Sequence, residues 1–171
     1  MFSRRQRKTG FTLVEILIVV VILGILAAVV IPQFTNASED ARSSSLLTQL
    51  QTLRSQLELY QVQHNGDYPT LAQLQANWTV MTDQTDSSGV TPPPAGTANP
   101  LGPYLQQPPS NAFEDGSTTV IGLGGAAAGI GWEYDATTGA IRAVMEQTKY
   151  DEVFDVTGDG AGDFPNDIVA Y

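Results

Sequence analysis

The chain has 171 residues, no cysteine, and 18 acidic against 8 basic side chains, for a formal net charge of −10. Without cysteine there is no disulfide framework, so an exported domain of this kind must rely on its core or on another staple. The acidic balance argues against binding DNA or RNA, whose phosphates demand a basic patch.

Four of the basic residues, Arg4, Arg5, Arg7 and Lys8, sit just ahead of Gly10. Removing residues 1–10 leaves Arg42, Arg54, Arg142 and Lys149 against all 18 acids, so the side-chain charge becomes 4 − 18 = −14. An apolar run follows the basic stretch, and Ile16 to Ile31 contains no polar or charged side chain. Counted from Phe11, about 21 residues are available, or about 31 Å of helix at ~1.5 Å per residue. That matches a hydrocarbon core of ~30 Å. Basic residues ahead of the span keep that end cytoplasmic, so the rest of the chain crosses. A cleaved secretory signal or an ordinary signal anchor is the simpler alternative. However, a secretory apolar region spans only ~7–15 residues, and branched residues follow Ala27-Ala28 where a small-x-small cleavage site would be needed.

Glu15 is the one acid in this segment. A carboxylate in a membrane span costs roughly 2.5–3.5 kcal/mol on insertion scales, so it needs a partner unless it rests in the headgroup layer. The uncut segment offers none. A cut after Gly10 creates one, the α-amino group of Phe11, within the same subunit or across to a staggered neighbour.

Beyond Pro32 the helical pattern resumes. Leu46, Leu50, Leu53, Leu57 and Tyr60 recur at spacings of 4, 3, 4 and 3, the apolar stripe of an amphipathic helix. His64-Asn65-Gly66 reads as its stop. The segment from Phe11 to His64 is therefore expected to be one helix about 80 Å long, weakened or bent near Pro32. His64, the only histidine, reads as a helix-end residue rather than a ligand or base.

Asp67-Tyr68-Pro69-Thr70 turns the chain, and Leu71, Leu74 and Trp78 suggest a short amphipathic helix. Residues 82–112 are rich in proline, glycine, serine and threonine, which exclude regular helix or central strand. Leu101, Tyr104 and Leu105 are the expected anchors of this packed loop. Thr118 to Ile121 reads as a strand. Gly131 to Tyr134 and Ala140 to Val144 flank Asp135 to Gly139 as a hairpin with a five-residue loop. Gly122 to Gly129 has no P-loop lysine and only part of a dinucleotide fingerprint, and reads as flexible loop. A long helix against a small antiparallel sheet gives an α+β fold.

The last stretch carries the only site-like pattern. Asp155, Thr157, Asp159 and Asp163 fall at positions 1, 3, 5 and 9 of a loop with Gly160 at position 6, as calcium-binding loops require. Position 12 is Asn166 rather than a bidentate acid, Asp167 is displaced by one, and no helix is legible before Asp155. An acidic solvated tail is the rival reading. Enzyme chemistry has little to work with: one histidine, no cysteine, no nucleophile elbow. Glu133 and Asp135 on the hairpin read as solvated.

Gly10-Phe11-Thr12-Leu13-Val14-Glu15, followed by the apolar run with Gly24 and Pro32, resembles the prepilin cleavage and methylation motif shared by type IV pilins and type II secretion pseudopilins. The Gly66-Asp67-Tyr68-Pro69-Thr70 turn, Gly102-Pro103-Tyr104-Leu105 with Pro108-Pro109, and the Gly131 to Tyr134 hairpin are similar to major pseudopilins. The proline-rich loop and the glycine-alanine insertion depart from that pattern.

The resemblance implies a pilin-like fold with a cleaved leader (1–10), a transmembrane and polymerisation helix (11–34) and a periplasmic globular domain (35–171). It implies a prepilin peptidase that cuts between Gly10 and Phe11 and methylates Phe11, and Glu15 acting in assembly. It also implies calcium held by Asp155, Thr157, Asp159, Asp163 and Asp167, since major pseudopilins end their calcium loop in an Asp-Ile pair, here Asp167-Ile168. The implied protein is a non-enzymatic pseudopilus subunit in the bacterial inner membrane. Its partners would be copies of itself, other pseudopilins, the secretion platform, and lipid before assembly. A type IV pilin, a minor pseudopilin and a monomeric signal-anchored calcium-binding domain remain the alternatives.

Overall fold

The computed structural model describes residues 10–155 and 167–171, with the backbone alone at 32–36. The chain divides into two units, residues 1–39 and residues 40–171. Helix α1 (Leu13–Gln63), of 51 residues, contributes to both. Within the first unit the apolar side chains from Leu13 to Ile31 are exposed on every face. Within the second, the expected stripe is buried: Leu46, Leu50, Leu53, Leu57 and Tyr60 are each at most 2% exposed.

After α1 come two short helices, α2 (Leu71–Gln75) and α3 (Thr79–Thr82). Thr70 starts α2 with a capping box. Its hydroxyl accepts from the Gln73 amide, and the Gln73 side chain accepts from the Thr70 amide. This delivers Leu74 and Trp78 to the core, both fully buried. The long loop of residues 82–112 packs on the domain as expected, with Tyr104 buried and Leu101 and Leu105 against the core.

Strands β1 (Val120–Ile121), β2 (Trp132–Tyr134), β3 (Ile141–Met145) and β4 (Ile168–Ala170) form one sheet in that order. The fold is α+β, but the sheet is mixed rather than wholly antiparallel. The expected hairpin β2–β3 is antiparallel, while β1 and β4 run parallel to their neighbours. Parallel neighbours require crossovers. The glycine-alanine loop links β1 to β2, and helix α4 (Gln147–Phe154) lies between β3 and β4. That helix immediately precedes Asp155, where none was legible.

On one face of the hairpin, Trp132 pairs with Ala143 and Tyr134 with Ile141, and all four are buried in the same cluster as the leucine stripe. Buried polar tips find backbone partners: Trp132 Nε1 donates to Pro109 O at 3.0 Å and Tyr134 Oη to Pro69 O at 2.9 Å. Gly131 is required at its position, because a Cβ there would lie 2.3 Å from Ser117 O. On the opposite face, Glu133 is not solvated. It is 1% exposed, pairs with Arg142 directly across the ladder, and accepts from the Gly124 amide. The glycine-alanine loop folds over this face and removes the water that strand alternation alone predicts.

At the C-terminal end of α1, His64 is buried with both ring nitrogens occupied. Nδ1 bonds Tyr60 O and Nε2 bonds Thr85 Oγ1, each at 2.9 Å, and the ring stacks on Tyr60 at 3.6 Å. It holds loop to helix, in keeping with a helix-end role.

Burial pushes the Tyr60 hydroxyl up to about 12, with Tyr104, Asp86 and Asp67 adding to the effect. Its ordinary value is 10.0, so above that pH the unfolded chain releases a proton that the folded chain keeps. The stability held in this group is complete below pH 10.0 and is lost as the pH rises toward about 12. Thermal melts of residues 40–171 across this window should show a falling midpoint, with a shallower fall in Tyr60→Phe. Equal slopes in the two proteins would contradict this assignment.

Candidate processing and assembly site

Gly10 and Phe11 lie ahead of the first turn of α1. Phe11 is 80% exposed, and nothing lies within 4 Å of the position a Gly10 Cβ would take. The bond between them is open to a protease. Residues Arg4, Arg5, Arg7 and Lys8 lie outside the described residues.

Thr12 caps α1. Its Oγ1 accepts from the Glu15 amide at 3.2 Å, while Glu15 Oε2 accepts from the Thr12 amide at 2.8 Å and from the Thr12 hydroxyl at 2.7 Å. This reciprocal arrangement is a capping box, with the acid three residues after the cap. It corrects the expectation that the uncut segment offers Glu15 no partner. The Thr-x-x-Glu spacing ahead of an apolar run was its readable signal. Placing a carboxylate at the positive end of the helix macrodipole also offsets part of its cost in a membrane. Both bonds to this side chain fall on Oε2, and among the described residues Oε1 has no hydrogen-bond partner.

Downstream, Leu13–Ile31 is a 19-residue stretch of mean hydropathy 3.3, long and apolar enough to cross a membrane and wholly exposed. Gly24 meets nothing within 4 Å, so its lack of a side chain serves no contact within this unit.

At the other end of the chain, the two termini of the acidic loop are fixed. Asp155 follows Phe154 of α4, and Asp167 precedes Ile168 of β4; Phe154 and Ile168 are each 2% exposed. Asp167 Oδ1 accepts from Arg54 Nη1 at 2.5 Å, its carbonyl accepts from the Ala143 amide, and Arg54 Nη2 donates to Ile141 O at 3.0 Å. Arg54 therefore ties α1, β3 and the loop's end together, a role that sequence reading missed because the partners lie 113 residues apart. Thr157, Asp159 and Asp163 lie outside the described residues. Among the described residues no group of three or more His, Cys, Asp or Glu side chains could hold a metal ion.

Residues 5–31 match the model of the prokaryotic N-terminal methylation motif. The chain is 44% identical over 71 residues to type II secretion system core protein G of Dickeya chrysanthemi, covering 42% of this chain and 44% of the relative. It is 40% identical over 71 residues to core protein G of Vibrio cholerae serotype O1, covering 42% and 48%. With that of Escherichia coli K12 it is 36% identical over 68 residues, covering 40% and 46%. The matched part thus spans less than half the length of each of these relatives. No solved structure matches the chain. The exposed Gly10-Phe11 junction, the capped start of α1 and its apolar first half are those of a chain that carries the prokaryotic N-terminal methylation motif and is similar, over about 42% of its length, to type II secretion system core protein G.

Proposed function

We propose that the chain is a structural subunit of a type II secretion pseudopilus, without catalytic activity of its own. In this reading it is inserted in the bacterial inner membrane with its basic leader in the cytoplasm and residues 35–171 in the periplasm. A prepilin peptidase cuts and methylates it, and it polymerises with copies of itself and other pseudopilins on the secretion platform. The observation that carries the reading is the exposed Gly10-Phe11 bond ahead of a capped, 19-residue apolar stretch bearing the methylation motif. Mass analysis of the intact protein from its native membrane should show loss of residues 1–10 and one added methyl on Phe11. A mature terminus near Ala28 would mean a secretory signal and sink the proposal.

Glu15 acts in assembly through the oxygen that Thr12 leaves free. After cleavage, the α-amine of Phe11 is the cation nearest in sequence, in the same subunit or in a neighbour. Subunits meeting head to tail through unlike patches build an open helical filament rather than a closed ring. Glu15→Ala should leave membrane insertion intact and sharply reduce filament yield. Wild-type yield in that variant would remove the charge pairing.

The C-terminal loop is proposed to take calcium through Asp155, Asp159, Asp163 and Asp167, with Thr157 or backbone carbonyls completing the shell. The donor chemistry fits: hard carboxylate oxygens suit calcium, and Gly158, Gly160 and Gly162 allow tight turns between them. Support comes from the two anchored ends, since Asp155 follows the buried Phe154 of α4 and Asp167 precedes the buried Ile168 of β4. Bound calcium would supply charge neutralisation and a cross-link between those ends. A ligand at 100 times its Kd stabilises the native state by about 2.7 kcal/mol, so residues 36–171 should melt higher in calcium than in chelator. Asp159→Ala should remove most of that difference, and magnesium should substitute poorly. A melting temperature indifferent to millimolar calcium favours the acidic-tail reading.

A further inference from the structure

Once the leader is gone, four cationic side chains remain: Arg42, Arg54, Arg142 and Lys149. Three of them are engaged within the chain. Arg54 holds Asp167, Arg142 holds Glu133, and Lys149 holds Glu152. Arg42 is exposed and, among the described residues, makes neither an ion pair nor a hydrogen bond. It stands on α1 four residues before Leu46, on the side of the helix that carries the leucine stripe. There it borders an open groove of about 610 Å³, walled by Ser45, Leu46, Gln49, Ser110 and Ala112.

The acids are distributed in the opposite way. Asp40, Glu58, Asp67, Asp83, Asp115 and Glu146 are all exposed, and among the described residues their carboxylates form no ion pair or hydrogen bond. When two copies of so acidic a chain approach, most juxtapositions set carboxylate against carboxylate, and like charges across an interface oppose association strongly. Within the folded domain, the one uncommitted cationic side chain is the place where a charged contact between copies is favourable. A head-to-tail interface also needs two unlike patches, and a lone arginine in a groove facing a field of acids supplies them.

We propose that Arg42 and its groove form a subunit–subunit contact that receives an exposed carboxylate of a second copy of this chain. The proposal rests on the filament reading and adds to it a specific surface in the folded domain. Arg42 is exposed and, among the described residues, makes no ion pair or hydrogen bond, so its replacement should leave the domain's melting temperature nearly unchanged while acting on assembly.

The test uses the full-length chain in a membrane where the wild type forms filaments. Arg42→Glu should lower the recovered polymer by about tenfold or more, and Arg42→Lys should keep most of it. Combining Arg42→Glu in turn with a lysine at each of the six exposed acids should restore polymer for one of them. Wild-type yield in Arg42→Glu, or rescue by none of the six, overturns the proposal. So does an Arg42→Glu chain that assembles normally but no longer binds anionic phospholipid vesicles, which would make Arg42 a headgroup contact. A wild-type chain that forms no polymer overturns the filament reading and this proposal with it.

Discussion

The folded domain depends on one buried stripe, from Leu46 to Tyr60 along α1. Its sheet is small: β1 to β4 contribute 2, 3, 5 and 3 residues. Strands so short cannot bury enough apolar area by themselves, and no disulfide compensates. The remaining core comes from outside the sheet. Leu74 arrives from α2, Trp78 from the N-cap of α3, Val80 and Met81 from α3, Tyr104 from the long loop, and Tyr150 and Phe154 from α4. Each meets the stripe or the hairpin in a single cluster. A leucine lost from α1 would therefore loosen sheet, loop and C-terminal helix together.

Polar groups fix the order in which those pieces cover the core. Asn111 is buried and donates to Gly131 O at 3.0 Å and Val144 O at 2.7 Å, while its Oδ1 accepts from the Phe113 amide. One side chain thus sets the end of the long loop against both strands of the hairpin. Glu114 bridges two further segments, accepting from the Gly129 amide at 2.9 Å and the Tyr171 hydroxyl at 3.1 Å. Glu133 holds Gly124 in the same way. The glycine-alanine stretch is therefore pinned at Gly124 and Gly129, near its two ends. Charge-assisted bonds to backbone amides are among the stronger hydrogen bonds, which accounts for order in a segment with almost no side chains to pack.

The legible parts of the fold were those coded locally. The 4-3-4-3 leucine spacing, the Tyr68-Pro69-Thr70 turn and the hairpin around Asp135 to Gly139 each depend on residues close in sequence, and each stands where expected. The missed parts depend on distant partners. α4 is mostly polar, and only Tyr150 and Phe154 mark its buried side. β4 is three residues long and pairs with a strand more than 20 residues earlier. Glu133 alternates outward on its strand, and only the loop from Gly122 to Gly129 decides that outward is still inside. At the candidate site, the methylation motif was readable because it is one continuous segment. The Arg54–Asp167 tie was not, since neither residue carries a local mark.

The C-terminal strand is held by more than the acidic loop that precedes it. β4 pairs with β3 along its length. Beyond it, the Tyr171 amide donates to Met145 O, the Gln147 amide donates to Tyr171 O, and the Tyr171 hydroxyl reaches Glu114. Asp167 is fixed by Arg54 at the strand's start. A cation bound between Asp155 and Asp167 would therefore join two points that the protein core has already placed. Metal sites that are absent from the unfolded chain and build the fold outright make the metal-free chain unfold. Here the ends are anchored by packing and hydrogen bonds, so calcium would act as an increment on a domain that already has its core. The leucine stripe, not the proposed ion, is then the source of the fold.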